Sequence, residues 1–216
     1  KKSNTPGLGG VDTRLITRIL RDEGVMNALL CDRVPEDLAA IASYRVTDAL
    51  TAVSCGDKQV FSPAGRAAHR VALLDYGMKG NILRELTKRG CMVTVCPAST
   101  AAEDILAGGF DGLMLSNGPR GPAGKHHPLI LSPAPGHPAE NTYQIAQLQM
   151  LLGRLPLFGI CLGHQLAALA AGGSTYKLKF GHRGVNQPVR VPGDHRTYIT
   201  SQNTRSPLLW VRPARV

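Results

Sequence analysis

The chain has 216 residues, 43% of them hydrophobic and 19% charged, with five cysteines and a net charge of +10, a length that gives one or two domains a sizeable core. No apolar run approaches the ~20 residues of a membrane span, Lys1-Lys2-Ser3-Asn4 begins no apolar leader, and an odd cysteine count without paired spacing argues against a disulfide scaffold and fits a reducing cytoplasm, while no CxxC or His/Cys pair has zinc spacing and no metal is expected. The positive charge argues for no nucleic acid: residues 120–137 carry two basic and no acidic side chains and residues 203–216 three and none, so half the excess sits in two short segments, and only 5% of residues are aromatic.

In chain order, Asp12 or Thr13 can cap a helix whose apolar positions are Leu15, Ile16, Ile19 and Leu20. Pro35-Glu36-Asp37-Leu38 opens a second helix, with proline and acids in its first turn. Residues 54–69, with Gly56, Pro63 and Gly65, read as a linker. Val71 to Gly77 is a strand ending in a turn, Asn81 to Arg89 a helix stopped by Gly90, and Met92 to Pro97 the next strand. A short helix over Ala102 to Ala107 and a strand over Gly112 to Ser116 follow. Residues 140–152 form a helix, 155–160 a strand, and Val189 to Thr200 a hairpin turning at Pro192-Gly193-Asp194. This alternation predicts an α/β fold with a doubly wound sheet, whose ligands sit beyond the carboxyl ends of the strands. The chain starts without Met, as expected of a fragment or a processed product.

Gly159-Ile160-Cys161-Leu162-Gly163 falls at such an end. Leu155 to Ile160 is almost entirely apolar, as a buried parallel strand is, and Leu162 to Ala171 is rich in helix formers until Gly172-Gly173. Cys161 therefore sits where a strand stops and a helix begins, the setting of an exposed nucleophile. A helix N-terminus favours the thiolate, and its free N–H groups can bind an oxyanion. The flanking glycines permit a tight turn and keep side chains away from a substrate. Cys31, Cys55, Cys91 and Cys96 lack this context and read as plain buried cysteines.

These residues resemble the class I (triad) glutamine amidotransferases and, more narrowly, the small-subunit family of glutamine-hydrolysing carbamoyl-phosphate synthases. The resemblance rests on Gly10-Val11-Asp12-Thr13-Arg14, Asp75-Tyr76-Gly77-Met78-Lys79-Gly80-Asn81-Ile82-Leu83-Arg84, Leu115-Ser116-Asn117-Gly118-Pro119, Phe158 to Gln165, Gly181-His182-Arg183-Gly184-Val185-Asn186-Gln187-Pro188 and Thr200-Ser201-Gln202-Asn203. It implies that residues 1–65 are the end of a smaller N-terminal domain plus a linker, and that residues 70–216 are an incomplete amidotransferase domain. It implies further that Cys161 attacks the side-chain amide of L-glutamine and releases ammonia, leaving a glutamyl thioester that is hydrolysed. Gly118 and Leu162 match the oxyanion-hole positions, and Gln165 and Asn203 match residues that hold glutamine. The implied partner is the carbamoyl-phosphate synthase large subunit, which takes the ammonia through a tunnel and uses ATP and Mg with bicarbonate. No cofactor is implied for this subunit.

The sequence departs from the family in three places. Arg120 to His137 interrupts the segment after Pro119. With four prolines, three glycines and three histidines it shows no helical or strand period, and it reads as a loop at the mouth of the site or a mistranslated stretch. Arg120 takes the place of a glycine that contacts glutamine. The base His and its Glu, which the family carries well downstream of the nucleophile, are not present before Val216. His137 and Glu140 are three apart and precede Cys161, so they do not supply them, and His164 points roughly 300° round the helix from Cys161. After Asn203 the composition turns to Arg, Pro and Leu, which reads as a frame change or a wrongly joined gene model. The family's N-terminal glutamine-contacting serine has no counterpart. An impaired glutaminase subunit is therefore expected. The rivals are a non-catalytic module docking on the large subunit and another cysteine-dependent α/β hydrolase with His137 or His164 as base.

Overall fold

The computed structural model describes residues 8–24, 26–31, 33–44, 49–118, 129–131, 138–176, 182–191, 193, 195–204 and 208–209; at 49, 129–131, 182–183, 203–204 and 208–209 it describes the backbone alone. Its centre is a five-stranded sheet in the order β2-β4-β3-β5-β7. The strands are β2 (Gln59–Phe61), β3 (His69–Asp75), β4 (Cys91–Pro97), β5 (Gly112–Leu115) and β7 (Leu157–Gly159). β3, β4, β5 and β7 run parallel, and β2 is antiparallel on the edge beside β4. Parallel strands covered on both faces lose the polar alternation, which is why Val71-Ala72-Leu73-Leu74 and Gly112-Leu113-Met114-Leu115 are apolar throughout.

The side-chain period of two still divides the core. Ala72, Leu74, Leu113 and Leu115 face Ile105 of α5 (Ala102–Ala107), Leu148 and Leu151 of α6 (Thr142–Leu151) and Leu166 of α7 (Leu162–Ala170). Leu73, Val93, Val95 and Met114 face Ile82, Leu83 and Leu86 of α4 (Gly80–Lys88). Helices on both faces of a mostly parallel sheet make the doubly wound α/β architecture expected from the sequence. Leu50 of α3 (Ala49–Val53) reaches the first core cluster, so residues ahead of β2 also pack on the sheet.

α1 (Thr13–Glu23) begins as expected: the Asp12 carboxylate accepts from Leu15 N at 2.9 Å. The second helix, α2 (Ala39–Ser43), starts four residues later than Pro35; Leu38 is its N-cap residue, and the Asp37 carboxylate just ahead of it accepts from Ala39 N and Ala40 N. Two segments read as irregular contain strands. The linker holds β2, and the Arg120–His137 stretch holds β6 (Leu129–Leu131), antiparallel to β1 (Ala28–Leu30). The rest of that stretch, Arg120 and His137 included, lies outside the described residues. The hairpin is longer than expected, pairing β9 (His182–Arg190) with β10 (Thr197–Thr204), and Gly193 at its turn has φ +85°. Two residues of the unusual tail, β11 (Leu208–Leu209), pair with β8 (Ser174–Thr175). Cys31 is exposed and Cys55 half-buried, not buried as expected; Cys91 and Cys96 are buried. Among the described residues no helix is long and apolar enough to cross a membrane.

Candidate active site at the β7–α7 elbow

The chain leaves β7 at Gly159, turns at Cys161 and enters α7 at Leu162. Cys161 has φ 54° and ψ −111° and is the one non-glycine residue with positive φ among those described. Those angles lie near the first central position of a type II′ turn, about +60° and −120°. The turn bond is present: Gly163 N donates to Ile160 O at 3.0 Å. Holding a side chain there costs roughly 1–3 kcal/mol, a strain that concentrates at functional sites. The result is a half-buried free thiol at the head of a helix.

The flanking glycines have a more specific reason than the one read from sequence. A Cβ on Gly159 would lie 2.5 Å from His164 N, and one on Gly163 would lie 2.5 Å from Leu115 O. Neither needs positive φ; both are needed for close approach of backbone to backbone. That approach is held by hydrogen bonds, Ile160 N to Leu115 O at 3.0 Å and Gly163 N to Ser116 O at 3.1 Å. The elbow thus hangs on the end of β5.

Gly118 follows β5 by three residues. A Cβ there would lie 2.5 Å from Leu162 Cδ2 and 2.9 Å from Leu162 Cβ, so Gly118 abuts the residue after Cys161. No other described residue takes up the amide of Gly118 or Leu162. Gln165 is 8% exposed, one turn into α7, and its N–H donates to Cys161 O at 3.1 Å. Cys161, Leu162, Gln165 and Gly118 are therefore gathered at one place. Asn203 lies on β10 opposite Arg183; its side chain is outside the described residues. His164 is exposed on α7 and His137 lies outside the described residues. Among the described residues no histidine is ion-paired with a carboxylate, and no group of three His, Cys, Asp or Glu converges as a metal site would.

Sequence reasoning missed the side chains that brace this loop. Asp75 is 7% exposed and accepts from Cys55 N, Gly77 N and Met78 N at 3.0, 3.0 and 2.8 Å. Asn117 Oδ1 accepts from Lys79 N at 3.0 Å, while its Nδ2 donates to Gly77 O at 2.8 Å and to Gly118 O at 3.0 Å. Ser116, fully buried, accepts from Tyr76 N and donates to Asn117 O. The signal was the adjacency of two motifs. Leu74 pairs with Leu115, which sets Asp75-Tyr76-Gly77 beside Ser116-Asn117-Gly118. Burial and the Asp75 charge push the Cys55 thiol up from its ordinary range, and burial does the same to Cys96.

A doubly wound α/β sheet with a strained cysteine between its last described strand and the following helix defines an α/β protein with a cysteine elbow. The glutamine amidotransferase class-I family model matches residues 72–128 and 123–206, and the chain belongs to that family. The two matched segments meet within the Arg120–His137 stretch. The chain is 45% identical over 207 residues to the carbamoyl phosphate synthase small chain of Bacillus thuringiensis subsp. konkukian. It is 42% identical over 209 residues to the pyrimidine-specific small chain of Halalkalibacterium halodurans, and 43% over 207 residues to the small chain of Listeria monocytogenes serovar 1/2a. Each match covers 94% of this chain and 51–52% of the relative, so the chain spans about half the length of these curated relatives.

Proposed function

We propose that this chain carries the glutamine-attacking half-site of a carbamoyl-phosphate synthase small subunit. The observation that carries the reading is the strained backbone at Cys161 with Gly118 packed against the next residue, Leu162. In this reading Cys161 attacks the side-chain amide of L-glutamine, and the N–H groups of Gly118 and Leu162 take the oxyanion. Gln165, with Asn203, holds the amino-acid end of glutamine. Collapse of the adduct, with the proton that the thiol gives up transferred to the amide nitrogen, expels ammonia and leaves a glutamyl thioester, which water cleaves to glutamate and the free thiol. The ammonia passes to a large synthetase subunit, where ATP and Mg serve the later chemistry; this chain needs no cofactor of its own. Residues 1–65 are then the end of a preceding domain plus linker, residues 70–216 belong to the amidotransferase domain, and the complex works in the cytoplasm in arginine and pyrimidine biosynthesis.

Without a paired histidine among the described residues to move protons, both formation and hydrolysis of the thioester are expected to be slow. Incubation with radiolabelled glutamine, acid quench and mapping should find a glutamyl thioester on Cys161, absent in Cys161→Ala, with little sustained ammonia release. Failure to label Cys161, or equal labelling by asparagine, would remove the reading. Sustained hydrolysis abolished by Cys161→Ala would show that residues 1–216 hold a working base. The same lack of a paired histidine favours a second reading, a module that docks on the large subunit without turnover. Co-purification with that subunit and no thioester would favour it.

A further inference from the structure

We propose that Ser116 is a positioning residue that aims the Gly118 amide at the developing oxyanion; this rests on the glutamine-attacking reading above. Ser116 is 0% exposed. Its Oγ accepts from Tyr76 N at 2.8 Å and donates to Asn117 O at 2.9 Å. A hydroxyl has one proton, so with a backbone N–H as its donor neighbour, that proton is committed to the Asn117 carbonyl. This carbonyl belongs to the same peptide unit as the Gly118 N–H. In a trans peptide the C=O and N–H point to opposite sides of the chain. Ser116 holds the carbonyl toward the core, and the Gly118 N–H is thereby turned to the opposite side; Gly118 itself abuts Leu162, the residue after Cys161.

The next peptide is held as well, since Asn117 Nδ2 donates to Gly118 O at 3.0 Å. Both carbonyls flanking Gly118 are fixed by side chains of the two preceding residues. A glycine carries no Cβ to restrict its own rotation, so this external clamp selects one orientation out of several. The Ser116 backbone joins the clamp to its surroundings: its N–H donates to Leu74 O at 3.2 Å and its carbonyl accepts from Gly163 N at 3.1 Å. An amide oriented before the reaction stabilises charge without reorganising, which is the source of an oxyanion hole's effect.

The test separates a reaction that builds an oxyanion from one that does not. The γ-4-nitrophenyl ester of glutamate and 4-nitrophenyl acetate both acylate Cys161. The thiolate adds to the ester carbonyl, and the oxyanion collapses, expelling nitrophenolate and leaving a thioester. The leaving group departs without protonation, so no base or acid is needed, and the Cys161→Ala chain subtracts spontaneous breakdown of either ester. Iodoacetamide alkylates the same thiol by direct displacement, with no oxyanion. Ser116→Ala in the 216-residue chain is expected to slow acylation by both esters about ten- to a hundredfold, a share of what losing an oxyanion donor costs. Alkylation of Cys161 by iodoacetamide, mapped by mass spectrometry, should stay within about twofold. Ser116→Cys keeps the shape and a weaker donor; it should fall between the two and serves if the alanine chain does not fold. Unchanged acylation, or equal losses in acylation and alkylation, would overturn the proposal. Equal rates for the two esters in the unsubstituted chain would instead overturn the glutamine reading, leaving the Ser116 effect readable on acetate.

Discussion

Cys161 keeps its side chain in a backbone region that glycine enters freely. Cys161→Gly should therefore exchange function for stability. Relief of the turn strain, less glycine's extra chain entropy, leaves a gain of about 1 kcal/mol, or roughly 2–4 °C in Tm for a chain of this size. Thermal unfolding measures it, and a lower Tm would show that the angle is unstrained. Tyr76 is a second residue with an internal cost. Its ring is buried, and among the described residues its hydroxyl has no hydrogen-bond partner. Tyr76→Phe should then be neutral or stabilising by up to about 1 kcal/mol. Burial raises the Tyr76 phenol well above the ordinary tyrosine range. The unfolded chain loses that proton near pH 10 while the folded chain keeps it, so stability present below about pH 10 drains as the pH rises past it. Denaturant titrations from pH 8 to 11 should show a shallower alkaline fall for Tyr76→Phe; parallel curves would contradict the assignment.

At the scale of elements, the β5–elbow junction holds the site. Gly163→Ala would drive a methyl into the Leu115 carbonyl, which has no flexible end to yield. β5 and α7 must part, at a cost of roughly 1–3 kcal/mol, and Cys161 acylation should fall with them. A single-turnover ester assay beside a urea melt checks both, and retained acylation would show that the two backbones need not touch. β3, β4 and β5 were legible to within two residues at each end, because burial on both faces demands unbroken apolar runs. β2 and β6 were not. Each is three residues long in proline- and glycine-marked surroundings, and each is defined by a partner far along the chain. The site divides in the same way. Cys161, Leu162 and Gln165 stand in one local motif. The Ser116 and Asn117 braces reach partners 38 to 40 residues away, which no local window contains.

For the whole molecule, the described sheet ends at β7. β7 has no described strand on its outer side, and Phe158, opposite the buried Met114, is 65% exposed. Ile160 is 37% exposed beside it. An open apolar edge invites pairing with any other exposed strand. Phe158→Lys should reduce self-association of the 216-residue chain in sedimentation velocity while leaving iodoacetamide alkylation of Cys161 unchanged; identical sedimentation would show that this edge is not the sticky surface.

The hanging of the elbow on β5 has a consequence in time. Tyr76, Ser116 and Gly163 come from three separated segments, and the hydrogen bonds among them tie the turn at Cys161 to the sheet. Contacts of such long sequence separation form late, after the entropy of closing the intervening loops has been lost. Cys161 of a refolding chain then reacts with esters only as an ordinary thiol, like the other four cysteines, and the onset of faster acylation at Cys161 marks the moment at which the sheet closes.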